Sequence, residues 1–530
     1  MKRFVGMRSP GLLLALTIAV GGLRPALAQI QTVQVTGGEL QGVVKDGVAS
    51  FKGIPFAAPP VGELRWKPPQ PVKPWNGTRK ADAFGPAPMQ NRGVHLLMGG
   101  WSPGSEDCLY LNVWTPATNA DEKLPVMVWI YGGGFMIGMT SLPLYDGTKL
   151  AQKGVVLVTL AYRVGPFGFL AHPELSRESG KGSGCYGLQD QVAGLRWVRD
   201  NIARFGGDPS RVTIFGESAG GASVSLLAVV PAAKGLFHRA IAESGSSIAP
   251  GRQASLPLAE EAGRKFLSDL GAADLKSARA LSAEQIQRAI HGLSLGQFRP
   301  VVDGDFLPGD PYELFDAGRF NDTPILIGSN SDEGAWFVRL VWSGRTPEAF
   351  EKQVRDIFGP TAENVLQVYP HSTRAETYKS SRELLRDWGI AWPTCAWAKL
   401  QSRKGRHPAF VYYFDHRPTS SAEGAIHAAE LAYVFRNLTA WAGAPSPPLP
   451  EDVALSDLIS SCWANFARSG DPNGPGLPAW PAFDEKEMKT MVFDHAPGAR
   501  PLPNLEKLKA FDDYFAWHRE QAKTKSSGDK

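Results

Sequence analysis

Continuous apolar runs recur along the chain, and they limit its possible folds more than any other feature of the sequence. Such runs, without alternating polar positions, are typical of strands buried on both faces, as in a parallel sheet covered by helices. The runs occupy residues 125–131, 154–162, 211–216, 323–328 and 408–414. Between the second and the third, apolar residues recur at steps of three and four from Leu188 to Phe205, which predicts a helix with one buried face. The sequence therefore predicts an α/β fold with a mostly parallel sheet.

The first 115 residues have a different pattern, with short candidate strands and frequent prolines, as in FAAPPVGELRWKPPQPVKPW at 56–75. Proline cannot donate a hydrogen bond to a strand ladder and is confined to edges, strand starts and bulges. This segment is therefore predicted to form an antiparallel edge of the sheet and loops around the site.

The N-terminus has the pattern of a secretory signal peptide. Three basic residues among the first eight precede the apolar stretch at 11–23, and Ala26-Leu27-Ala28 is an A-x-A cleavage motif. A membrane anchor is the alternative, but the apolar stretch is shorter than the roughly 20 residues of a spanning helix. Residues 1–28 are therefore predicted to direct export to the periplasm or out of the cell, without leaving a stable membrane anchor.

The charge balance of the remaining chain limits the classes of partner. Residues 1–28 contain four of the 56 basic residues and none of the 52 acidic residues, so the mature chain has no formal net charge. A neutral surface argues against nucleic acid or an anionic membrane as the partner. The sequence does not indicate an oligomeric state.

The cysteines are widely spaced and include no C-x-x-C pair. They form neither the disulfide framework of a small domain nor a zinc motif. Free or partly buried thiols are therefore predicted at Cys108, Cys185, Cys395 and Cys462.

Two serines lie in the G-x-S-x-G pattern of a serine-hydrolase nucleophile. Ser218 follows the apolar run 212–215 and precedes small and then larger apolar residues, which predicts a strand, a sharp turn and a helix. Ser102 follows no such run, and the next residue, Pro103, has no N–H to stabilise an oxyanion. Ser218 is therefore the candidate nucleophile, and Ser102 is predicted to be a loop serine.

Three glycines, Gly132 to Gly134, follow the first apolar run and so lie at the carboxyl end of a strand. Glycines let the backbone turn so that N–H groups point into a pocket, where they could bind an oxyanion or a phosphate. The chain has no G-x-x-x-x-G-K-[ST] motif and no G-x-G-x-x-G motif after a strand, which argues against a nucleotide. The glycine loop is therefore predicted to bind an oxyanion rather than the phosphate of a nucleotide.

In α/β-hydrolases the acid and then the histidine follow the serine along the chain. Two adjacent carboxylates, Asp332 and Glu333, follow the fourth apolar run, and both are candidates for the acid. Two histidines, His416 and His427, follow the fifth run closely. His416 lies between charged neighbours at a strand end, whereas His427 lies in a loop that enters a helix.

His427 and Glu430 also have the spacing of two metal ligands one helical turn apart. The sequence offers no third ligand and no H-E-x-x-H motif beside them. No metal site is therefore predicted.

These motifs together resemble those of the type-B carboxylesterases, a family that includes cholinesterases and many bacterial esterases. The segment FGGDPSRVTIFGESAGG at 205–221 resembles the elbow signature of the family, and EDCLYLNVWTP at 106–116 resembles its second signature. Further blocks in family order are FKGIPFAAPPVGELRWKPP, YGGGF, GSNSDEG, AIHAAEL and CWANFARSGDPN. The resemblance covers nearly all of residues 29–530 and implies one large α/β-hydrolase domain, with helices on both faces of the sheet and insertions over the site.

The resemblance also implies a catalytic site. It selects Glu333 as the acid and His427 as the base. It assigns the oxyanion hole to the N–H groups of Gly133, Gly134 and Ala219.

The same resemblance implies further residues around the nucleophile. Glu217 would be a buried carboxylate that tunes the electrostatic field of the site. Trp336 and Phe337 fall where the family places aromatic walls of the pocket, although a plain core role for either is an open alternative. Phe135 is a further candidate for the substrate pocket.

The resemblance implies a serine hydrolase that cleaves carboxylic esters through an acyl-enzyme, without a cofactor. The same triad could cleave amides or thioesters, and a non-catalytic binding or adhesion protein of this fold is the alternative from another class. Cys108 is the first cysteine of the chain, so a disulfide that the family often forms from this position is absent. The loop holding Trp101 is short for a choline site. A choline ester is therefore not the expected substrate. A pocket walled by Trp336, Phe337 and Phe135 would have limited volume, so uncharged esters with a small acyl or aromatic part are expected.

Overall fold

The computed structural model describes Met1 and residues 29–91, 104–290, 296–417, 423–440 and 447–528. The remainder of the predicted signal peptide, and the loop that holds Trp101 and Ser102, lie outside the described residues. Within the described ranges, no helix has both the length and the apolar character needed to cross a membrane.

A large sheet of eleven strands runs through the described part of the chain. Its strands, numbered in chain order within this sheet, are β1 (Val43–Lys45), β2 (Val48–Pro55), β3 (Tyr110–Thr115), β4 (Leu124–Ile130), β5 (Val156–Leu160), β6 (Gly207–Glu217), β7 (Arg239–Glu243), β8 (Ile325–Asn330), β9 (Ala409–Phe414), β10 (Lys489–Phe493) and β11 (Gly498–Pro501). Their order across the sheet is β1-β2-β3-β5-β4-β6-β7-β8-β9-β10-β11.

The seven strands β4 to β10 are parallel to one another. At one side, β1, β2 and β3 pair antiparallel, and β3 also pairs antiparallel with β5. At the other side, β11 pairs antiparallel with β10. The mostly parallel sheet and the antiparallel N-terminal edge are therefore confirmed.

Smaller sheets and helices surround this sheet. The smaller sheets contain Thr32–Val35, Gly38–Gln41 and Thr78–Lys80; Ala87–Pro88 and Gly104–Ser105; and Ala254–Ser255 and Val301–Val302. The α-helices are Thr148–Ala151, Gly165–Phe169, Pro173–Ser179, Tyr186–Asn201, Ala219–Leu227, Leu256–Asp269, Leu275–Ala280, Ala283–Arg288, Pro311–Asp316, Gly334–Val341, Pro347–Phe358, Ala362–Val368, Arg374–Arg386, Trp392–Lys404, Leu431–Val434, Pro450–Ser469, Leu505–Lys509 and Asp512–Gly528.

Each of the five predicted apolar runs contains a strand, and the predicted helix is Tyr186–Asn201. Every residue of β5, β8 and β9 is buried, as expected for strands covered on both faces. The sequence pattern does not predict β7. Its apolar core is only three residues long, Ala240 to Ala242, between Arg239 and Glu243, and such a short run carries too little periodicity to be recognised.

The pairing register brings four loops to one edge of the sheet. Ile130, the last residue of β4, is opposite Gly216 near the end of β6. Asn330 and Phe414, the last residues of β8 and β9, are opposite each other. In parallel sheets the loops at the carboxyl ends of the strands form the ligand site. The candidate residues after β4, β6, β8 and β9 therefore meet at this edge.

All four cysteines of the chain are free thiols with buried side chains. Burial raises the pKa of the Cys108 thiol well above its ordinary value, so this thiol is neutral and unreactive at physiological pH. The prediction of unpaired thiols agrees with this arrangement.

Candidate active site

Ser218 lies in the sharp turn between β6 and the helix Ala219–Leu227. Its φ is 57° and its ψ is −120°, a conformation that non-glycine residues rarely adopt. The backbone on both sides is fixed, because its N–H donates to the carbonyl of Glu243 (2.9 Å) and its carbonyl accepts from the N–H of Ala222 (2.8 Å). This strained turn is the geometry of a nucleophile elbow.

The elbow requires glycine where its helix crosses the sheet. A Cβ on Gly220 would lie 2.0 Å from the carbonyl oxygen of Ile130 on the neighbouring strand β4. No side chain fits at that distance, so the small residues of the motif let the helix pack directly under Ser218.

The glycine loop after β4 lies beside Ser218. A Cβ on Gly132 would lie 3.0 Å from the Cβ of Ser218. Gly133 and Gly134 have φ values of 113° and 64°, which glycine adopts at little cost. The N–H groups of Gly133, Gly134 and Ala219 donate to no acceptor within the described residues. The structure therefore leaves the three predicted oxyanion donors unpaired near Ser218.

The two adjacent carboxylates after β8 point to different partners. Glu333 is fully buried, and its Oε1 accepts the backbone N–H of Asn330 at 2.7 Å. Its Oε2 lies 2.5 Å from Nδ1 of His427. Asp332 instead forms an ion pair with Arg382. The structure thus brings Glu333, and not Asp332, to the histidine.

The segment that carries His427 is tied to the loop after β8. The N–H of Asp332 donates to the carbonyl of Ala425 at 2.8 Å, and the side-chain amide of Asn330 donates to the carbonyl of Ile426 at 2.9 Å. These bonds fix the backbone on both sides of the Glu333–His427 contact. The Nε2 atom of His427 has no hydrogen-bond partner within the described residues.

The other candidate histidine belongs to a different cluster. His416 is buried, and its Nε2 lies 2.7 Å from Oδ1 of Asp452. The same carboxylate oxygen accepts a hydrogen bond from the hydroxyl of Tyr433 at 2.8 Å. His416 therefore links β9 to the helix Pro450–Ser469 and does not reach Ser218.

A cavity of about 380 Å³ opens onto both Ser218 and His427. Gly134, Ala219 and the aromatic rings of Phe135 and Phe337 also line it. The Phe337 ring packs against the imidazole of His427, with ring centroids 4.9 Å apart. The volume of the cavity matches that of the smaller ligand pockets of globular proteins.

Trp336 is not among the residues that line this cavity, so the structure differs here from the sequence prediction. Its side chain is 45% exposed and packs against Phe337. In the helix Gly334–Val341, Phe337 and Val341 are one turn apart and both line the cavity, whereas Trp336 lies about 100° away around the helix.

Comparisons with known proteins identify the family of this chain. The family model described as "Carboxylesterase family" matches residues 28–509. The chain belongs to this family. Para-nitrobenzyl esterase of Bacillus subtilis is 38% identical to this carboxylesterase over 494 residues, which cover 90% of this chain and 97% of the relative.

A second relative is named for a different substrate, and a solved structure has a similar fold. Fumonisin B1 esterase of Sphingopyxis macrogoltabida is 38% identical over 476 residues, which cover 87% of this chain and 86% of the relative. A solved structure of PNB esterase has a TM-score of 0.81 and 38% identity, and the match covers 91% of this chain and 99% of that one. This carboxylesterase therefore has the α/β-hydrolase fold and is a carboxylic ester hydrolase.

Buried glutamates surround the histidine of this carboxylesterase. Glu217, Glu243 and Glu430 are each at most 4% exposed. Oε2 of Glu430 accepts from the side-chain amide of Asn330 at 2.5 Å, and Oε1 of Glu243 accepts from the indole of Trp463 at 2.5 Å. The carboxyl group of Glu430 is thus held by the side-chain amide of Asn330. The sequence gives no local signal for Glu243, because it ends the unpredicted strand β7.

Burial and mutual repulsion raise the pKa of each of these glutamates. Burial, opposed by His427, raises the pKa of Glu217 to about 8. Burial and the neighbouring Glu333 raise the pKa of Glu430 to about 7. Burial likewise raises the pKa of Glu243 well above its ordinary range. Burial therefore disfavours the carboxylate form of all three groups, and the charge of His427 opposes this effect at Glu217 and Glu430.

His427 experiences opposing effects. Burial lowers its pKa, but the carboxylates of Glu217 and Glu333 and the hydrogen bond that Nδ1 donates to Glu333 outweigh burial and raise the pKa to about 9. Its Nε2 lies 3.0 Å from Oε1 of Glu217, an ion-pair contact without the angle of a hydrogen bond. The surroundings of His427 therefore favour the protonated form of its imidazole.

Proposed function

We propose that this carboxylesterase hydrolyses small-molecule carboxylic esters through an acyl-enzyme, with Ser218 as nucleophile, His427 as general base and Glu333 as the orienting acid. One observation carries the proposal. His427 is held through Nδ1 by Glu333 at 2.5 Å, its Nε2 has no hydrogen-bond partner among the described residues, and the residue lines the same cavity as the strained Ser218. The arrangement has the three roles of a serine-hydrolase triad.

In the first half of the reaction, the hydroxyl of Ser218 attacks the ester carbonyl while Nε2 of His427 takes its proton. The negative oxygen that forms is bound by the unpaired N–H groups of Gly133, Gly134 and Ala219. The carboxylate of Glu333 stabilises the imidazolium and keeps its tautomer fixed. His427 then gives the proton to the leaving alcohol, and the acyl group remains on Ser218.

In the second half, His427 removes a proton from water, and the resulting hydroxide attacks the acyl carbon. The same N–H groups bind the second oxyanion, and collapse of the intermediate returns the proton to Ser218. Every proton transfer uses one ring nitrogen, so the reaction requires no cofactor. Glu217 influences the reaction without transferring a proton, because its protonation state determines how strongly the imidazolium form of His427 is favoured.

The experiment that tests the proposal compares two serines with the same local motif. Ser218→Ala should lower kcat on 4-nitrophenyl acetate by about 10³- to 10⁶-fold, because it removes the nucleophile. Ser102→Ala should leave kcat nearly unchanged. A phosphonate ester should add its mass to the wild type and to Ser102→Ala, but not to Ser218→Ala. Equal losses in both variants, or labelling of Ser218→Ala, would reject Ser218 as the nucleophile.

We also propose that residues 1–28 are a removed signal peptide and that the rest of the chain works as one domain outside the cytoplasm. Support comes from the basic, apolar and A-x-A segments in order, and from a family match that begins at residue 28. N-terminal sequencing of the exported protein should give Gln29 as the first residue. A mature protein that begins at Met1 would contradict this cleavage.

A further inference from the structure

Two arginines line the wall of the active-site cavity, Arg252 and Arg299. Both are half-buried. The Nη1 atom of Arg252 donates to the carbonyls of Ser246 (3.0 Å) and Gly389 (2.9 Å), and Nη1 of Arg299 donates to the carbonyl of Arg252 at 3.2 Å. These bonds hold both guanidinium groups in place without neutralising their charge.

Neither arginine forms an ion pair within the described part of the chain. By contrast, the three fully buried arginines of the described ranges are paired: Arg65 with Glu106 (2.6 Å), Arg163 with Asp190 (2.8 Å) and Arg386 with Asp387 (2.7 Å). The internal segments outside the described ranges contain no Asp or Glu in the sequence. Two positive charges at the cavity therefore have no ion-pair partner among the described residues.

The pKa values of the two groups agree with this geometry. Burial and the neighbouring charge of Arg299 lower the pKa of Arg252 to about 10, and burial lowers that of Arg299. Arginine remains charged at neutral pH even so, and an unpaired charge taken partly out of water is costly. A negative group that enters the cavity removes part of this cost.

The remaining wall supports an anion at this place. The described residues that line the cavity include no Asp or Glu, because the buried glutamates lie behind Ser218 and His427. Phe337, Leu385 and Trp388 supply apolar surface. In such surroundings a carboxylate on two guanidinium groups is screened less than at the protein surface. A guanidinium group also matches a carboxylate in shape and donates two hydrogen bonds to it.

We propose that Arg252 and Arg299 bind a carboxylate carried by the ester substrate, so that the enzyme prefers half-esters of dicarboxylic acids to neutral esters of the same size. The proposal rests on the proposed function, since it names the substrate class of that site. The proposal differs from the sequence prediction of uncharged esters. Arg252 and Arg299 are distant in sequence from Ser218 and form no local motif, so the sequence does not predict them at the site.

A second cavity of about 350 Å³ is also lined by Arg252 and Arg299. A Cβ on Gly296 would lie 2.3 Å from Nη2 of Arg299, so the loop backbone packs against this guanidinium. The two arginines thus line both cavities. Substrates with a longer acidic part can place it beyond the first cavity without leaving the cationic pair.

The test uses two esters of matched shape, monomethyl glutarate and methyl 5-methylhexanoate, in which an isopropyl group replaces the carboxylate. The measured quantity is the ratio of their kcat/KM values at pH 7. Arg252→Gln and Arg299→Gln should each lower this ratio about tenfold, the effect of one lost charged hydrogen bond. Arg252→Lys and Arg299→Lys, which keep the charge, should retain most of the ratio.

Arg239→Gln is the matched control, because Arg239 also lacks an ion pair among the described residues but does not line either cavity. Its ratio should equal that of the wild type. The wild type adds a measurement that needs no variant: the KM of monomethyl glutarate should rise with NaCl concentration, while that of the neutral ester stays constant.

A ratio that is unchanged in both Gln variants, or that falls equally in the Lys variants and in Arg239→Gln, would overturn the proposal. A KM of monomethyl glutarate that does not depend on salt would do the same. These failures leave the Ser218-dependent hydrolysis of the neutral ester intact. Loss of Ser218 dependence for both esters would instead reject the proposed function.

Discussion

His427 and His416 both follow β9, and each has a ring nitrogen close to a buried carboxylate, at 2.5 Å from Glu333 and 2.7 Å from Asp452. The surroundings of the two rings differ. His427 lines a cavity together with Ser218, whereas the carboxylate beside His416, that of Asp452, also accepts a hydrogen bond from Tyr433 inside the core. A buried histidine–carboxylate pair therefore does not by itself mark a catalytic site; the cavity and the nearby serine distinguish the two.

The largest expected difference lies between the histidines themselves. His427→Gln should lower kcat/KM on 4-nitrophenyl acetate by about 10³-fold or more, because the general base is lost. His416→Gln should keep the activity but lower the stability by about 1–3 kcal/mol, since a buried carboxylate loses its partner. Steady-state kinetics and denaturant unfolding measure the two effects. An inactive but stable His416→Gln would reverse the assignment.

The next difference concerns the acids. Glu333→Gln should lower kcat by about 10²- to 10⁴-fold, because the imidazole loses its orienting charge. Asp332→Asn should cost far less, since Asp332 pairs with Arg382 and not with His427. The measurement is kcat under substrate saturation for both variants. A crippled Asp332→Asn beside an active Glu333→Gln would show that the wrong carboxylate is assigned.

A smaller effect is expected in the pH profile. Glu217 raises the pKa of His427, so Glu217→Gln removes a negative neighbour and should lower this pKa. The base then becomes neutral at lower pH, and the acid limb of log kcat/KM should move to lower pH by about one unit. Glu243→Gln is the matched control, because Glu243 is buried but shifts the pKa of His427 less than Glu217 does. An unmoved acid limb in Glu217→Gln would contradict this coupling.

The smallest effect should distinguish the two neighbouring aromatic residues. Phe337→Ala enlarges the cavity and should change the ranking of acetate, butyrate and hexanoate esters, by roughly 10-fold for the longest acyl chain. Trp336→Ala should change all three rates by the same small factor, because the indole does not line the cavity. Values of kcat/KM for 4-nitrophenyl esters provide the measurement. A changed ranking in Trp336→Ala alone would support the sequence prediction that Trp336 forms a wall of the pocket.

The sequence predicts those features that local chemistry encodes. Strands buried on both faces leave continuous apolar runs, and the elbow leaves small residues around Ser218, so both are readable without a structure. The residues alone leave Asp332 and Glu333 equivalent, because adjacent side chains differ only in direction. That direction depends on Arg382, which lies on a distant helix and draws Asp332 away.

Other parts of the site depend on contacts between distant segments and carry no local pattern. Arg252 and Arg299 come together only through the hydrogen bond between them and the shared cavity wall. Glu243 reaches the buried acidic cluster through β7, whose apolar core is too short to predict. Trp336 and Phe337 are adjacent aromatic residues, and only their different positions around the helix give them different surroundings.

The four buried thiols have a consequence for how this enzyme can be produced. The finished fold contains no disulfide bond, since every cysteine of the chain is reduced and buried. Maturation therefore needs no oxidant and no disulfide isomerase, even if folding takes place after export. The chain without residues 1–28 should fold in a reducing cytoplasm, and millimolar dithiothreitol should leave its melting temperature unchanged.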